Sequence, residues 1–407
     1  MPSSSQAIPT FGREPPVLAG DPFSDAVLTS PFEFQHSLRE AGPVAYLPSH
    51  NVYAMGRYDE VRAALVNWQG FESGNGVGLF NPRSETPYRR PPSAILELDP
   101  PIHDAPRHAL EQALGPRMLT RFRDDWARTA EIVVDELLKR EVIDAVSDLA
   151  EAFPLKVFPE AMGIPEEGRE NLLVYSDHNF NSFGPNNALV EKGRKAFTEL
   201  VGWMGKQGTR ESLRPDGLGA SIWAKTDEGD LTAEQAGGVI RSLLIAGLDT
   251  TIHALGAIID AFLSAPQQWQ VLRAEPKRAR VAFDEAIRWA SPVQTFFRTA
   301  TRDVIVADTK IPEGEKILMF LGAANRDPRR WDNPDHFDLN RDPSGHVGFG
   351  MGIHHCVGQH VARQEAEVVL HELARRVARI EPAGEPKPHL NNTLKGWKTL
   401  PVRLIAA

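Results

Sequence analysis

The chain contains a single cysteine, Cys356, which follows two histidines in the glycine-rich stretch GFGMGIHHCVGQ. It could be a small buried hydrophobic side chain. His354, His355 and Cys356 could instead bind zinc, although three adjacent residues converge poorly on one tetrahedral ion. The glycines imitate a dinucleotide-binding turn, but His355 stands where the last glycine of that turn belongs. The fourth possibility is a thiolate ligand to haem, for which tight glycine turns let backbone N–H groups point at the sulfur.

A second stretch, DEAIRW, places Glu285 and Arg288 three residues apart, so that both side chains lie on one face of a helix. Such pairs are common on helix surfaces, where they contribute little to stability. The pair is informative only in combination with the other motifs.

A third stretch, LLIAGLDTTIHAL, lies in an apolar helix of about 28 residues, or about 42 Å, that we predict to begin at a capping box of Thr232 and Gln235. Its centre is rich in glycine and threonine, which are poor helix formers, and it also carries Asp249. We therefore predict a gap in the backbone hydrogen bonds with Asp249 and Thr250 beside it. Such a gap is suited to holding oxygen and relaying protons.

In this order and spacing, the three motifs resemble those of the haem-thiolate monooxygenases, the cytochrome P-450 family. The meander RDPRRWDNPDHFD also resembles that family, and the likeness covers nearly the whole chain after the N-terminal tail. It implies a mainly α fold with a smaller β part, a helical bundle around haem b with small β-sheets, over residues 21–407. The family's cysteine pattern is matched by Phe349, Gly352, His354, Cys356 and Gly358, with Ala362 in the helix that follows.

The resemblance also implies roles for individual residues. Cys356 is the iron ligand, which pushes electron density onto the metal. Glu285 and Arg288 form a buried structural pair that holds the cysteine loop, and Asp249 and Thr250 are the acid–alcohol pair that steers protons. The haem propionates are bound by His103, Arg107, Arg298 and His354. Each of these four could alternatively be a solvated surface charge.

Composition indicates an ordinary globular protein. The chain has 407 residues, 42% of them hydrophobic, and a net charge of −9 with acidic and basic residues interspersed. This argues against a nucleic-acid binder, and no apolar run approaches the length that spans a bilayer. We expect residues 1–20 to be a flexible tail rather than a signal peptide. The single cysteine suits a reducing cytoplasm.

The periodicity of apolar residues predicts the helices and strands that position these motifs. Helical spacing of apolar residues dominates from about residue 101 to residue 290. The runs VAYL and VYAMG predict short strands, and VIVADTKIPEGEKILMF predicts two strands around a Pro-Glu-Gly turn. A last helix is predicted over VARQEAEVVLHELARRVARI.

Polar residues in otherwise apolar segments of the sequence indicate an anionic substrate. Arg90 and Ser93 lie in YRRPPSAILELDPP, and Arg241 and Ser242 lie about one turn before the centre of the long helix. Two Arg–Ser pairs directed at one pocket would bind a carboxylate. Taken singly, each of these residues could instead lie on a solvent-exposed face. The aromatic and aliphatic walls of this pocket would be formed by Phe180, Phe183, Val293 and Phe296. The alternative is that these four side chains pack in the ordinary core.

Several of these stretches resemble the bacterial P-450 subgroup that oxidises para-substituted benzoates and O-demethylates para-methoxybenzoate. The resemblance implies that Arg90, Ser93 and Ser242 contact the substrate carboxylate, with Tyr175 and Arg241 closing the pocket. The ring would be held by Leu96, Phe180, Phe183, Val293, Phe296 and Ala246. Asn179 departs from the pattern, since an aliphatic pocket residue is expected there, so the preferred para group stays open.

The chain has no flavin or nicotinamide motif and no cysteines for an iron–sulfur cluster, so its electrons must come from another protein. We expect an iron–sulfur ferredoxin and an NAD(P)H-dependent reductase, with Arg329 and Arg330 in a docking patch or on a plain solvated face. Two other functions stay open: a P-450 that hydroxylates a terpene or fatty acid, and a non-catalytic haem protein.

Overall fold

The computed structural model describes residues 13–81 and 90–407. Apolar residues at helical spacing form most of the helices; in Pro116–Leu138, for example, Phe122, Trp126 and Ala130 are buried along one stripe. The α-helices are α1 (Asp25–Thr29), α2 (Phe32–Ala41), α3 (Tyr58–Val66), α4 (Asp104–Ala113), α5 (Pro116–Leu138), α6 (Ala152–Met162), α7 (Asn171–Asn181), α8 (Ala188–Gln207), α9 (Leu218–Asp227), α10 (Ala233–Ser264), α11 (Pro266–Ala274), α12 (Ala279–Ala290), α13 (Leu321–Ala324) and α14 (Gln359–Arg376). A π-helical segment, Ala145–Glu151, precedes α6.

The strands form small sheets. They are β1 (Ala45–Leu47), β2 (Val52–Met55), β3 (Phe71–Glu72), β4 (Ile143–Asp144), β5 (Thr295–Ala300), β6 (Val304–Val306), β7 (Thr309–Ile311), β8 (Lys316–Phe320), β9 (Val377–Pro382), β10 (Lys387–Leu390), β11 (Lys395–Thr399) and β12 (Pro401–Ala406). One sheet has the order β1-β2-β8-β5-β3, a second has the order β4-β12-β9, and β6–β7 and β10–β11 are two-stranded. The predicted mainly α fold with a smaller β part is confirmed.

The long central helix α10 organises the core. Its start is as predicted, because the Thr232 hydroxyl accepts from the Gln235 N–H while the Gln235 side chain accepts from the Thr232 N–H. Among the described residues α10 alone is long and apolar enough to cross a membrane, but most of its apolar stretch is buried inside the protein. Its apolar character is therefore that of a core helix.

Two boundaries differ from the sequence prediction. The stretch VIVADTKIPEGEKILMF contains three strands rather than two, because β6 and β7 turn tightly at Ala307 and Asp308, both with positive φ. Such turns usually contain glycine or asparagine, so the pattern gave little sign of this one. The last helix ends at Arg376, and Val377 begins β9, where pairing with β12 replaces the helical hydrogen bonds.

The start of the described chain is fixed to the domain. The Arg13 N–H donates to the carbonyl of Asp308, and the Leu18 N–H donates to that of Tyr46. Residues 1–12 of the predicted tail lie outside the described residues.

Candidate active site

Glycines shape the loop that carries Cys356. Gly350 and Gly352 both have φ of +68°, and a Cβ atom on Gly352 would lie 2.8 Å from the carbonyl oxygen of Leu65. The Cys356 N–H donates to the Phe349 carbonyl at 2.8 Å, which closes the loop just before α14. The glycines are therefore needed for the turn and for close contact with α3.

Opposing influences act on the Cys356 thiol. Burial raises its pKa, whereas backbone N–H groups of Gly358 and Gln359 and the charges of Arg107 and Arg363 lower it. A bound metal cation would complete the stabilisation of the thiolate. The sulfur is thus placed among donors that suit a metal-bound anion.

His103 and His354 lie side by side. Their ring centroids are 4.8 Å apart with the rings edge to face. Both Nε2 atoms are buried and have no hydrogen-bond partner among the described residues, and the Asp99 carboxylate is 3.7 Å from that of His354. Burial lowers the pKa of both imidazoles, that of His354 to about 4. Two adjacent unsatisfied ring nitrogens suit a polar ligand.

The two arginines predicted to bind the haem propionates differ in their contacts within the protein. Arg298 in β5 is only 3% exposed, and burial lowers its pKa to about 10. Its Nη1 donates to the Phe297 carbonyl at 2.9 Å, which leaves further donors for an anion. Arg107 instead donates to the His355 carbonyl at 2.7 Å and pairs with Glu111, so it joins α4 to the cysteine loop.

Glu285 and Arg288 form a fully buried ion pair on α12. Arg288 Nε donates to Glu285 Oε2 at 2.7 Å, and Nη2 donates to Oε1 at 2.8 Å. The remaining Arg288 donors bind the carbonyls of Asn325, Pro334 and His336. The pair therefore fastens the meander to α12.

The centre of α10 is continuous in the structure, which differs from the predicted gap. The Thr250 hydroxyl donates to the Ala246 carbonyl at 2.7 Å, so the side chain supports the helix rather than interrupting it. Packing explains the glycine at position 247, since a Cβ atom on Gly247 would lie 2.4 Å from the Phe158 ring. Burial and the nearby carboxylates of Asp177 and Glu151 hold the pKa of Asp249 well above its usual range. The Asp249 carboxyl is therefore held in its protonated form, one residue before the Thr250 alcohol.

Ser93 and Ser242 are brought together at the start of the buried part of α10. Their hydroxyl oxygens are 3.0 Å apart, and the Ala94 N–H donates to Ser242 Oγ at 3.2 Å. The Leu96 N–H donates to Ser93 Oγ at 3.0 Å. Ser242 Oγ also donates to the Gly238 carbonyl at 2.9 Å, so the two hydroxyls and the two backbone N–H groups form one hydrogen-bonded cluster that joins the Ser93 loop to α10.

Arg90 is not the free cation that the sequence suggested. Both of its terminal nitrogens bind the buried carboxylate of Glu97, and its guanidinium lies 4.4 Å over the ring of Phe183. Its charge is therefore compensated inside the protein. No carboxylate of the described residues is within ion-pair distance of Arg241, whose Nη2 donates to the Pro92 carbonyl at 3.0 Å.

An apolar cluster adjoins the serines. It contains Val77, Phe180, Phe183 and Leu394, packed against Leu96, Ile245, Val293 and Phe296. Phe180 and Phe183 meet edge to face at 5.7 Å, as do Phe183 and Phe296 at 6.0 Å. The predicted wall residues thus lie together, apart from Ala246, which is an exposed residue in the middle of α10.

Tyr175 and Asn179 lie behind this cluster on α7. The Tyr175 ring stacks on Phe197 at 4.6 Å, and burial raises the pKa of its hydroxyl. The Asn179 Nδ2 donates to the Tyr175 carbonyl at 2.7 Å. The asparagine amide is therefore engaged by its own helix, which accounts for a polar residue at a buried position.

Comparisons with known proteins decide the family. The model of the family described as Cytochrome P450 matches residues 187–405. Cytochrome p450 CYP199A2 of Rhodopseudomonas palustris is 51% identical over 397 residues, which cover 97% of this chain and 96% of that protein. The chain belongs to the cytochrome P450 family. This P450 is also 30% identical to a beta-dihydromenaquinone-9 omega-hydroxylase of Mycobacterium tuberculosis, over 94% of this chain and 78% of that protein.

Solved P450 structures share the fold. CYP109Q5 from Chondromyces apiculatus has a TM-score of 0.79 at 29% identity and covers 95% of this chain and 98% of its own. CYP109E1 from Bacillus megaterium, in complex with testosterone, has a TM-score of 0.82 at 27% identity and covers 93% of this chain and 99% of its own. The protein is a cytochrome P450 monooxygenase with haem b as cofactor.

The residues of this P450 fit haem. Cys356 would supply the thiolate ligand to the iron, while His103, His354 and Arg298 would supply the buried donors that two propionates need. When bound, the haem supplies the activation of O2 that inserts one oxygen atom into the substrate.

Sequence reasoning missed some residues in and around the apolar cluster. Glu97 is one of two acids in ELDPP, and no spacing signal pairs it with Arg90. Val77, Ile245 and Leu394 read as ordinary core residues. Of these, Ile245 could have been found, because it lies one helical turn from Ser242 on α10.

Proposed function

We propose that this P450 oxidises para-substituted benzoates and converts 4-methoxybenzoate to 4-hydroxybenzoate and formaldehyde. The reaction balances as one methyl ether, O2, two electrons and two protons giving the phenol, formaldehyde and water. The observation that carries the proposal is the Ser93–Ser242 hydroxyl pair at the edge of the apolar cluster, beside Arg241, which has no carboxylate of the described residues within ion-pair distance.

The charges near the serines favour an anion. Arg90 and Glu97 cancel each other as a buried pair, while Arg241 keeps its charge next to Ser242. Burial holds the pKa of Arg241 below its usual value because the cation is partly desolvated. A substrate carboxylate would compensate this charge, so an acid should bind better than a neutral ring of the same shape.

The spacing along α10 suits a para-substituted ring. Ser242, Ala246 and Thr250 follow one another at intervals of four residues, which corresponds to about 6 Å per step. A carboxylate bound at Ser242 therefore directs the para substituent toward Ala246 and the Asp249–Thr250 pair. Binding energy from the remote charge then positions a small methyl group that offers no polar contact of its own.

We further propose that electrons come from an iron–sulfur ferredoxin and its NAD(P)H-dependent reductase in the cytoplasm. Of the two arginines suggested for docking, Arg329 is ion-paired with Glu40 and Asp327. Arg330 lies over the rings of Tyr58 and Trp331 and donates to the Ser344 carbonyl. Arg330 is therefore the stronger candidate for a contact with an acidic partner.

Turnover with a surrogate ferredoxin and reductase tests the proposal. We expect 4-hydroxybenzoate and formaldehyde in equal amounts from 4-methoxybenzoate, and far less product from anisole, which lacks the carboxylate. Equal turnover of anisole would contradict the carboxylate site. Oxidation of a terpene or fatty acid, with 4-methoxybenzoate left unchanged, would replace the substrate class while keeping the enzyme class.

A further inference from the structure

Asp249 has a second buried titratable neighbour on its own helix. His253 lies four residues further along α10, so both side chains occupy the same helix face. Asp249 is 6% exposed and His253 is 8% exposed. A histidine at such depth, one turn from the acid of an acid–alcohol pair, is not explained by the haem or substrate contacts described above.

The His253 ring meets a second histidine from the C-terminal hairpin. The centroids of His253 and His389 are 4.9 Å apart, with 34° between the ring planes. Nε2 of His389 lies 2.9 Å from Oδ1 of Asp177 on α7, and Asn391 Nδ2 donates to the same oxygen at 2.8 Å. Asp177 in turn lies close enough to Asp249 to raise the pKa of that carboxyl.

The hairpin is shaped to admit the His253 ring. Gly396 on β11 is the cross-strand partner of His389 on β10. A Cβ atom on Gly396 would lie 2.2 Å from Nδ1 of His253, so only glycine leaves space for the imidazole there. Both strand positions that border the ring are thereby adapted to it.

The exposed fraction of the side chains falls from Asp177 and His389 at the surface to His253 and Asp249 inside the protein. The side chains of Asp177 and His389 are 38% and 25% exposed, whereas His253 and Asp249 are buried. The charged or titratable groups that face His253 are His389, Asp177 and Lys395, and Asp177 and Glu151 face Asp249. Burial lowers the pKa of His253 to about 3, so its imidazole is neutral and can accept a proton on one nitrogen while it releases one from the other.

We propose that His389, Asp177 and His253 form the route by which solvent protons reach Asp249. Asp249 gives its proton to an acceptor on the Thr250 side of α10 during turnover and is left as a carboxylate. A solvent proton enters at His389, which Asp177 holds in place, and one ring nitrogen of His253 accepts it. The other nitrogen releases a proton to Asp249, so each passage moves one proton and leaves the route unchanged; two passages serve one turnover.

Histidine variants test this route. We expect His253→Gln and His389→Gln to slow product formation on the order of ten-fold, to raise the solvent deuterium isotope effect and to divert NADH electrons away from product. Substrate affinity and the thermal midpoint of His389→Gln should match the wild type, because that side chain is partly exposed. His371→Gln, an exposed change on α14, is the matched control.

Infrared spectroscopy of the substrate-free protein gives a readout that needs no turnover. The stretching band of the protonated Asp249 carboxyl is assigned by its loss in Asp249→Asn. This band should shift in Asp177→Asn and in His253→Gln. The band of buried Glu365 on α14, whose pKa burial also raises, should stay in place. An unshifted band in both variants would contradict the coupling of these side chains to Asp249, even if 4-methoxybenzoate proves not to be a substrate.

Wild-type isotope effects and electron coupling in both His253→Gln and His389→Gln would overturn the route. So would a slowing that tracks lost thermal stability with an unchanged isotope effect, since a purely structural role produces that result.

Discussion

Glu97 binds both terminal nitrogens of Arg90, and neither side chain is more than 8% exposed. The Glu97 carboxylate also accepts the N–H groups of Val77 and Ser93. This pair therefore shapes the loop that presents Ser93 to Ser242. Of the two arginines, Arg241 is the one that has no carboxylate of the described residues within ion-pair distance.

Breaking this pair should destabilise the protein. Glu97→Gln leaves the Arg90 charge buried without its counter-ion, and we expect a loss of about 3–5 kcal/mol in the free energy of unfolding, measured by denaturant titration. The double change Arg90→Met with Glu97→Gln should recover part of that loss, because both charges are removed while the amide oxygen can still accept a backbone N–H. A Glu97→Gln protein as stable as the wild type would contradict the pairing.

The serine pair should matter for acids and not for neutral rings. Ser242→Ala removes one hydroxyl from the anion site, and we expect 4-methoxybenzoate to bind on the order of ten-fold more weakly in an optical titration. Anisole binding should be unchanged by the same substitution. Equal weakening of both ligands would indicate that Ser242 acts through packing alone.

The buried pair on α12 should be needed for a loaded haem site. Arg288→Lys cannot reproduce the bidentate contact with Glu285 and the contacts with the carbonyls of Asn325, Pro334 and His336. We expect less haem per chain and a markedly lower thermal midpoint. The matched control is Arg128→Lys, because Arg128 pairs with Asp125 at the same spacing on the exposed face of α5, where a change should cost about 1 kcal/mol or less. Equal effects of the two substitutions would contradict the structural role of Arg288.

His253 should make stability depend on pH. Its pKa is about 3 in the folded protein, against about 6.5 when unfolded, so the unfolded chain binds more protons between these values. Stability from this group is therefore present above about pH 6.5 and is lost as pH falls, by about 2 kcal/mol at pH 5. His253→Gln should lose less stability than the wild type between pH 7 and pH 5, as followed by the unfolding midpoint. His389, Asp177 and Lys395 are present in both proteins, so parallel curves would contradict burial of a neutral His253.

Local patterns predicted the parts of the site that depend on local structure. The glycines around Cys356, the capping box of α10 and the spacing of Glu285 and Arg288 each act within a few residues. The pairing of Arg90 with Glu97 depends on how an irregular loop folds, which no periodicity records. The contact of His253 with His389 joins a helix to a hairpin more than a hundred residues away, and only the folded chain brings the two together.

An optical titration of the ferric protein with 4-methoxybenzoate, followed by reduction under carbon monoxide, tests the account most directly. We expect the acid to shift the Soret band toward shorter wavelength and the reduced complex to show the red-shifted band of thiolate ligation. A thiolate band without any response to the acid would contradict the benzoate proposal and leave the P450 assignment intact. Loss of the thiolate band in haem-loaded protein would contradict ligation by Cys356.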